Sequence, residues 1–305
     1  MQGKTARYKE LMTTSIAQAI LQGTHCLRKA GVAEARREAG SLAAHVVGRN
    51  RSFIMAHADD SLTAEQLDTL RAFVERRAQG EPLQYLTGHQ EFFGLDFEVT
   101  RDVLIPRPDT ELLVETAVKL LSNSEAASFI CDVGTGSGCV AVTLLHELPH
   151  ARAVASDISP AALVVAKRNA ARHSVTDRID FLLSDCFARL AEHNPSPSPF
   201  DIIVSNPPYV AEHEFADLQR EVRDFEPRSA LVAGDDGLSI IRRLLFDAGS
   251  YLKTGGHLLF EIGFQQGERV RQLIEQPVNQ RRWKLLDIHK DLQGIPRTVV
   301  LQKLA

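Results

Sequence analysis

From residue 128 to the end of the chain, segments typical of strands alternate with segments typical of helices. Short apolar runs predict the strands: FICDV, RAVASD, RIDFLLSD, FDIIVS, GGHLLFEI, WKLLDIH and RTVVLQK. Helices are indicated by GCVAVTLLHEL, PAALVVAKRNAARH, LSIIRRLLFDAGSYL and GERVRQLIEQ, whose apolar residues recur at helical spacing. This alternation predicts a doubly wound α/β fold with a mostly parallel sheet, and the two strands that close the chain predict one antiparallel member.

Residues 1–108 do not show this alternation of strands and helices. Residues 1–85 predict a small helical bundle, whose clearest helix, in LTAEQLDTLRAFVERRAQGEP, begins at a capping box formed by Thr63 and Gln66. Residues 86–108 predict a linking β-hairpin, with one strand over 93–99, a turn at 100–102 and a return strand over 103–105. Residues 109–305 are predicted to form the α/β domain, in which the polar stretch HNPSPSP is expected to be a flexible insertion.

Composition narrows the classes of function. The net charge of −4 and the pI near 6.3 lack the excess of positive charge that is typical of nucleic-acid-binding proteins. No stretch approaches a membrane span, and the four cysteines form no C-x-x-C pair. We expect a cytoplasmic protein that binds no metal, and we expect it to be a monomer.

The first predicted strand of the α/β domain is followed by a glycine-rich loop, DVGTGSG, with Gly134, Gly136 and Gly138. Glycines let backbone approach a ligand closely, and the N-terminus of the following helix favours a negative group. The dinucleotide fingerprint G-x-G-x-x-G would require glycine at position 139, where this chain has Cys139. The loop therefore indicates a nucleoside site, with NAD as a weakened alternative.

Acidic residues end the next two predicted strands. Asp157 is placed to accept both hydroxyl groups of a ribose, at roughly 1.5–3 kcal/mol per charge-assisted bond. Asp185 ends the third strand, where an adenine amino group could be bound. Taken singly, each acid could instead cap a helix, but together with the glycine loop they predict nucleoside binding.

A proline turn, SNPPYV, follows the fourth predicted strand. Pro207 and Pro208 lack backbone N–H groups, so no sheet continues through them. The side-chain oxygen of Asn206 and the carbonyl of Pro207 are expected to accept the two hydrogens of one planar –NH2 group, with Tyr209 against its flat face. The alternative is that the prolines only stiffen the chain where it leaves the strand, and that Asn206 caps a helix.

The glycine loop, with an acid ending the next strand, resembles class I S-adenosylmethionine-dependent methyltransferases, and N-P-P-Y resembles the motif of those that methylate planar amino nitrogens. Together with GHQEFFGLDFEVTRDVLIPRPDTELLVE and FEPRSALVAGDDGL, these motifs resemble the release factor glutamine methyltransferase family (HemK-type) over nearly the whole chain. The resemblance implies methyl transfer from S-adenosylmethionine to the glutamine of the Gly-Gly-Gln loop of bacterial class 1 peptide-chain release factors.

The same resemblance assigns the site residues. Those implied for cofactor binding are Gly134, Thr135, Gly136, Ser137, Gly138, Asp157, Asp185, Cys186, Phe187 and Asn206. Those implied for substrate binding are Asn206, Pro207, Pro208 and Tyr209, of which Asn206, Pro207 and Tyr209 are also implied to be catalytic. Some family members carry a bulky aromatic side chain where this chain has Cys186, which predicts weaker stacking on adenine. The N-terminal bundle matches the family's substrate-docking domain in position and helical character.

Other functions remain open at this point. Ribosomal-protein glutamine methyltransferases share N-P-P-Y but generally lack the PRPDTE run. A DNA amino-methyltransferase would want a basic target-recognition region to meet phosphates, which the charge of −4 does not indicate, so we expect no direct contact with nucleic acid. An NAD dehydrogenase is disfavoured by the missing glycine, and a cofactor-binding protein without catalysis would not need an intact N-P-P-Y turn.

Overall fold

In the computed structural model, residues 14–122, 127–193 and 200–304 are described. Most of the predicted HNPSPSP insertion, residues 194–199, lies outside these ranges. The chain divides into two units between Thr87 and Gly88, and each has a hydrophobic core of its own. Within the described ranges, none of the helices combines the length and the apolar character that a membrane span requires.

The first unit is helical, as the sequence predicts. Its helices among the described residues are α1 (Ile16–Lys29), α2 (Ala35–Val47), α3 (Arg51–Ala56), α4 (Ala64–Ala78) and α5 (Leu83–Thr87). The capping box predicted at the start of α4 is confirmed, because the Thr63 hydroxyl accepts the Gln66 N–H and the Gln66 side chain accepts the Thr63 N–H. Leu27 and Leu42, both completely buried, lie in the core of this unit.

The second unit begins with a β-hairpin and continues as an α/β domain. Its strands are β1 (His89–Phe92), β2 (Leu95–Glu98), β3 (Phe129–Val133), β4 (Arg152–Asp157), β5 (Ile179–Leu183), β6 (Phe200–Ser205), β7 (Leu252–Glu261), β8 (Trp283–Lys290) and β9 (Pro296–Lys303). Its helices are α6 (Glu111–Leu121), α7 (Cys139–Glu147), α8 (Pro160–Arg172), α9 (Leu190–His193), α10 (Arg220–Phe225), α11 (Ser239–Asp247), α12 (Gly267–Ile274) and α13 (Pro277–Gln280).

Strands β3 to β9 form one sheet in the order β5-β4-β3-β6-β7-β9-β8. Neighbours from β5 to β7 are parallel, and β9 runs antiparallel between β7 and β8. This confirms the predicted doubly wound, mostly parallel sheet with one antiparallel strand.

The order of the strands reverses between β3 and β6. From β3 the chain moves outward through β4 to β5, and it then returns to β6 on the other side of β3. Buried residues of α6 and α7, such as Leu113 and Leu144, belong to one core cluster, and those of α11 and α12, such as Leu244 and Val270, belong to another. Ligands of such sheets bind beyond the carboxyl ends of the strands at the point of reversal, which directs attention to the ends of β3 and β6.

The predicted register of the hairpin is wrong. Strands β1 and β2 pair antiparallel around a turn at Phe93 and Gly94, not around 100–102. Both turn residues have positive φ, +53° and +73°, as a tight two-residue hairpin requires, and the Glu111 side chain accepts the Phe93 N–H at 2.9 Å. Residues 103–105, predicted as the return strand, form no strand.

Candidate active site

A cavity of about 310 Å³ lies beyond the carboxyl ends of β3, β4, β5 and β6. Its walls come from the loops that follow these strands, with further contributions from the segment 102–110 that precedes α6. The predicted site residues that line it are Gly134, Thr135, Gly136, Ser137, Asp157, Asp185, Cys186, Asn206, Pro207 and Pro208. Three other predicted residues, Gly138, Phe187 and Tyr209, are not among those that line it.

The glycine loop joins β3 to α7, and its three glycines serve two purposes. Gly134, Gly136 and Gly138 all have positive φ, at +76°, +55° and +82°. A Cβ at Gly134 or Gly136 would meet open space, so the backbone itself is presented to a ligand there. A Cβ at Gly138 would lie 3.1 Å from the Ala166 Cβ, so this glycine allows the loop to pack closely on α8.

Asp157 ends β4, and its carboxylate binds the glycine loop. One oxygen accepts the Gly136 N–H at 2.8 Å, and the other accepts the Ser159 N–H at 2.8 Å. Burial raises the pKa of this carboxyl group, and the backbone donors oppose that shift. Each carboxylate oxygen has a further lone pair and Asp157 lines the cavity, so it can hold the loop and still accept hydroxyl groups.

Asp132, which sequence reasoning did not assign, holds the start of the loop to α7. Its Oδ2 accepts the Thr135 hydroxyl at 2.7 Å and the Ala141 N–H at 3.3 Å. Burial raises the pKa of Asp132 to about 7, although both hydrogen bonds oppose the shift. The signal that could have found it is its place as the acid of DVGTGSG, directly before the glycines.

The loop after β5 places its three predicted residues differently. Asp185 lines the cavity, but one of its carboxylate oxygens pairs with Arg243 Nη1 at 2.7 Å. Cys186 also lines the cavity, and burial raises the pKa of its thiol to about 11. Phe187 is only 3% exposed and stacks on Tyr251 with ring centroids 5.4 Å apart, so its ring belongs to the core and does not reach the cavity.

Asn206 follows β6, and only one end of its side-chain amide has a hydrogen-bond partner among the described residues. Its Nδ2 donates to Thr110 Oγ1 at 2.9 Å. Its Oδ1 is buried, and it has no hydrogen-bond partner among the described residues. Buried polar atoms are nearly always paired in folded proteins, so an unpaired acceptor in a cavity-lining residue indicates a ligand that donates. This oxygen is the acceptor that the sequence assigns to a planar –NH2 group.

The buried carboxyl group of Glu261 accepts hydrogen bonds from Tyr209 in the turn and from Thr110, the partner of Asn206. Thr110 Oγ1 donates to Glu261 Oε2 at 2.6 Å, and the Tyr209 hydroxyl donates to Glu261 Oε1 at 3.4 Å. Burial raises the pKa of Glu261 to about 7, whereas the bond from Thr110 and the charge of Arg297 lower it. The placement of the Tyr209 ring against the ligand stays a prediction; what the structure gives is the hydrogen bond from its hydroxyl group to Glu261, at the end of β7. The sequence offers no specific signal for Glu261.

An ion pair joins two of the segments that were singled out in the sequence, IPRPDTE and FEPRSAL. Arg107 Nη2 lies 2.5 Å from Glu226 Oε1, and the Ile105 N–H donates to Glu226 Oε2 at 3.2 Å. Burial raises the pKa of Glu226, and Arg107 opposes the shift. Arg107 and Pro227 both line the cavity, so this pair fixes one of its walls.

Two family models match the chain. The model of the PrmC N-terminal domain matches residues 18–88, and the model of the methyltransferase small domain matches residues 108–222.

Curated relatives match most of the chain. A release factor glutamine methyltransferase from Koribacter versatilis (strain Ellin345) is 43% identical over 254 residues, which cover 83% of this chain and 86% of the relative. Another, from Nitratidesulfovibrio vulgaris, is 40% identical over 294 residues, which cover 95% of this chain and 97% of the relative. Among solved structures, the hMettl16 catalytic domain in complex with MAT2A 3′UTR hairpin 6 shares the fold, with a TM-score of 0.52 at 16% identity over 76% of this chain and 81% of that one.

Proposed function

Because this chain belongs to the release factor glutamine methyltransferase family, we propose that it methylates the side-chain nitrogen N5 of the glutamine in the Gly-Gly-Gln loop of bacterial class 1 peptide-chain release factors. The methyl donor is S-adenosylmethionine. The single observation that carries this proposal is the Oδ1 of Asn206, which is buried and has no partner among the described residues, in a residue that lines the cavity.

The residues around the cavity fit S-adenosylmethionine. The loop at Gly134 and Gly136 leaves open space beside its backbone, as the close approach of a ligand requires. Asp157 offers carboxylate lone pairs to ribose hydroxyl groups, and Ile158 and Cys186 offer apolar surface to the adenine. When bound, the cofactor supplies an electrophilic methyl group.

Replacing Asp157 with alanine is expected to weaken cofactor binding by about 2 kcal/mol, since charge-assisted hydrogen bonds contribute roughly 1.5–3 kcal/mol each. Calorimetric titration with S-adenosylmethionine measures the loss. Asp201→Ala is the control, because Asp201 lies at the opposite end of the sheet, where it accepts the Phe129 N–H at 2.8 Å and pairs with Lys253. Unchanged affinity in a folded Asp157→Ala protein would remove Asp157 from the cofactor site.

The contribution of Asn206 to transfer is to hold the amide nitrogen of the substrate. The nitrogen lone pair of a primary amide is delocalised, so this nitrogen is a weak nucleophile and must be well oriented. Oδ1 of Asn206 can accept one of its two hydrogens, and the fixed φ of Pro207 and Pro208 keeps this acceptor rigid. Holding a reactant in one orientation removes much of the entropic part of a barrier.

The proposal is tested by incubating the protein with labelled S-adenosylmethionine and a bacterial class 1 release factor, then mapping the modified residue by mass spectrometry. We expect a single methyl group on the glutamine of the Gly-Gly-Gln loop, and none on a release factor in which that glutamine is alanine. Ribosomal protein and DNA are offered as competing substrates. Labelling of either one in preference to the release factor would overturn the assignment.

We also propose that the helical unit, residues 1–87, docks the release factor. It has its own core, and helices α1 and α4 leave a groove of about 140 Å³ lined in part by Gly23, Leu67 and Val74. Deletion of residues 1–87 should leave the affinity for S-adenosylmethionine unchanged and raise KM for the release factor at least about tenfold, which equals about 1.4 kcal/mol. Steady-state kinetics and calorimetry measure the two effects. Loss of cofactor binding by a folded truncated protein would contradict this division of roles.

A further inference from the structure

A chain of buried hydrogen bonds runs from Glu261 through Thr110 to Asn206. The three side chains come from separate elements, namely the end of β7, a single helical turn over Pro108–Thr110 and the turn after β6. Glu261 and Thr110 are each 1% exposed. The first link is 2.6 Å long and the second is 2.9 Å long.

We propose that Glu261 and Thr110 are positioning residues that fix the polarity of the Asn206 side chain, so that its oxygen, and not its NH2 group, faces the substrate. The site would then accept only a side chain that donates hydrogen bonds. This inference rests on the proposed function, because it concerns how the substrate amide is selected.

The direction of the hydrogen bonds follows from the carboxylate at the end of the chain. An ionised carboxylate only accepts, so the single hydroxyl hydrogen of Thr110 is given to Glu261. The Thr110 oxygen is left as an acceptor, which only the NH2 end of Asn206 can satisfy. Oδ1 of Asn206 must then turn the other way, and there it has no partner among the described residues.

The surroundings of Glu261 support the role of acceptor. Tyr209 donates to its second oxygen at 3.4 Å, and the positive charge of Arg297 in β9 acts on it as well. Arg297 is itself paired with Asp109 at 2.8 Å and with Asp291 at 3.0 Å, and the charge of Asp109 opposes that of Arg297 at Glu261. Burial raises the pKa of Glu261 to about 7, and the two hydroxyl donors and the guanidinium group oppose that shift, so the carboxylate that the polarity argument requires predominates above about pH 7.

Fixed polarity has a consequence for substrate choice. The –NH2 group of a glutamine side chain can donate to Oδ1 of Asn206, whereas a glutamate carboxylate in the same place would set oxygen against oxygen. An Asn206 side chain that was free to turn over would also present its NH2 group, and it would then hold the carbonyl end of glutamine towards the reactive position. Glu261 and Thr110 therefore select amide over acid, and amide nitrogen over amide oxygen.

The test is a double-mutant cycle on the full chain, with a bacterial class 1 release factor as substrate. Thr110→Val removes the acceptor for Asn206 with little change in volume, and it should lower the single-turnover rate at least about tenfold without changing cofactor affinity. Thr110→Ser keeps the hydroxyl group and should restore most of the rate. In an Asn206→Ala background, Thr110→Val should have no further effect, because no amide is left to orient.

Thr143→Val is the matched control. Thr143 is fully buried in α7 and its Oγ1 has no partner among the described residues, so its loss should leave the rate unchanged. Equal rate losses for Thr110→Val in the wild-type and Asn206→Ala backgrounds would overturn the proposal, as would an equal loss for Thr143→Val. A wild-type protein that leaves the glutamine unlabelled would refute the proposed function, and this inference with it, so the two kinds of failure are distinguishable.

Discussion

Alanine in place of Asn206 should slow single-turnover methyl transfer by about two to three decades, because loss of a preorganised contact of this kind costs roughly 3–4 kcal/mol in the transition state. The free energy of unfolding should hardly change. The fold loses one neutral hydrogen bond, from Nδ2 to Thr110, worth about 1 kcal/mol, but it also loses a buried acceptor that has no partner among the described residues. These two effects on stability oppose each other, whereas nothing offsets the effect on the rate.

Asn169 provides the matched control for this prediction. It is also buried, but its Oδ1 accepts the Glu98 N–H at 2.8 Å, and its Nδ2 donates to the carbonyl groups of Glu98 and Ser137 at 2.9 Å and 2.8 Å. Asn169→Ala should therefore lower the free energy of unfolding by about 2–3 kcal/mol, measured by urea denaturation. A near wild-type rate for Asn206→Ala, or a stability loss as large as that of Asn169→Ala, would show that Asn206 does not hold the substrate.

The sheet could be predicted from the sequence because its strands and helices have different periods and short connections. The hairpin register could not be predicted in the same way. Alternation over residues 93–99 predicts that Phe97 is buried, as it is, whether the turn comes before this strand or after it. A period of two identifies the buried face of a strand but not the end at which the chain turns. The positive φ angles of Phe93 and Gly94 decide the register, and a Phe-Gly pair is not among the strong sequence signals for such a turn.

The candidate site could be predicted where the chemistry is local. The glycines allow the positive φ angles of the loop and the prolines fix φ in the turn, so both conformations follow from the residues themselves, and both segments line the same cavity. The support of Asn206 could not be predicted, because Thr110 and Glu261 are 151 positions apart in the sequence and meet only through the order of the strands. The packing of Phe187 could not be predicted either: the resemblance implies a place in the cofactor site for it, and its ring stacks on Tyr251 in the core.

The backbone at Gly237 packs closely against the end of the N-P-P-Y turn. Its φ is +72°, and a Cβ added to it would lie 2.3 Å from the carbonyl oxygen of Tyr209 and 3.1 Å from the backbone nitrogen of Ala211. Both are backbone atoms, so relief of the overlap requires the end of the turn, or the backbone around Gly237 that packs on it, to move. Gln266 binds the same place, since its Nε2 donates to the carbonyl groups of Tyr209 and Gly237 at 2.8 Å and 3.1 Å.

Gly237→Ala should therefore lower the free energy of unfolding by about 3–4 kcal/mol, from left-handed backbone strain and overpacking together. It should also slow methyl transfer at least about tenfold, because a displaced turn misaligns Asn206. Gly234→Ala is the control, because its φ is +75° but its Cβ would come no closer than 3.5 Å to Ser239, so it should cost only about 1 kcal/mol. Urea denaturation and single-turnover labelling measure both variants. Equal losses of stability and of rate in the two variants would mean that both effects come from backbone strain alone. The position of Asn206 would then not depend on the contact between Gly237 and the turn.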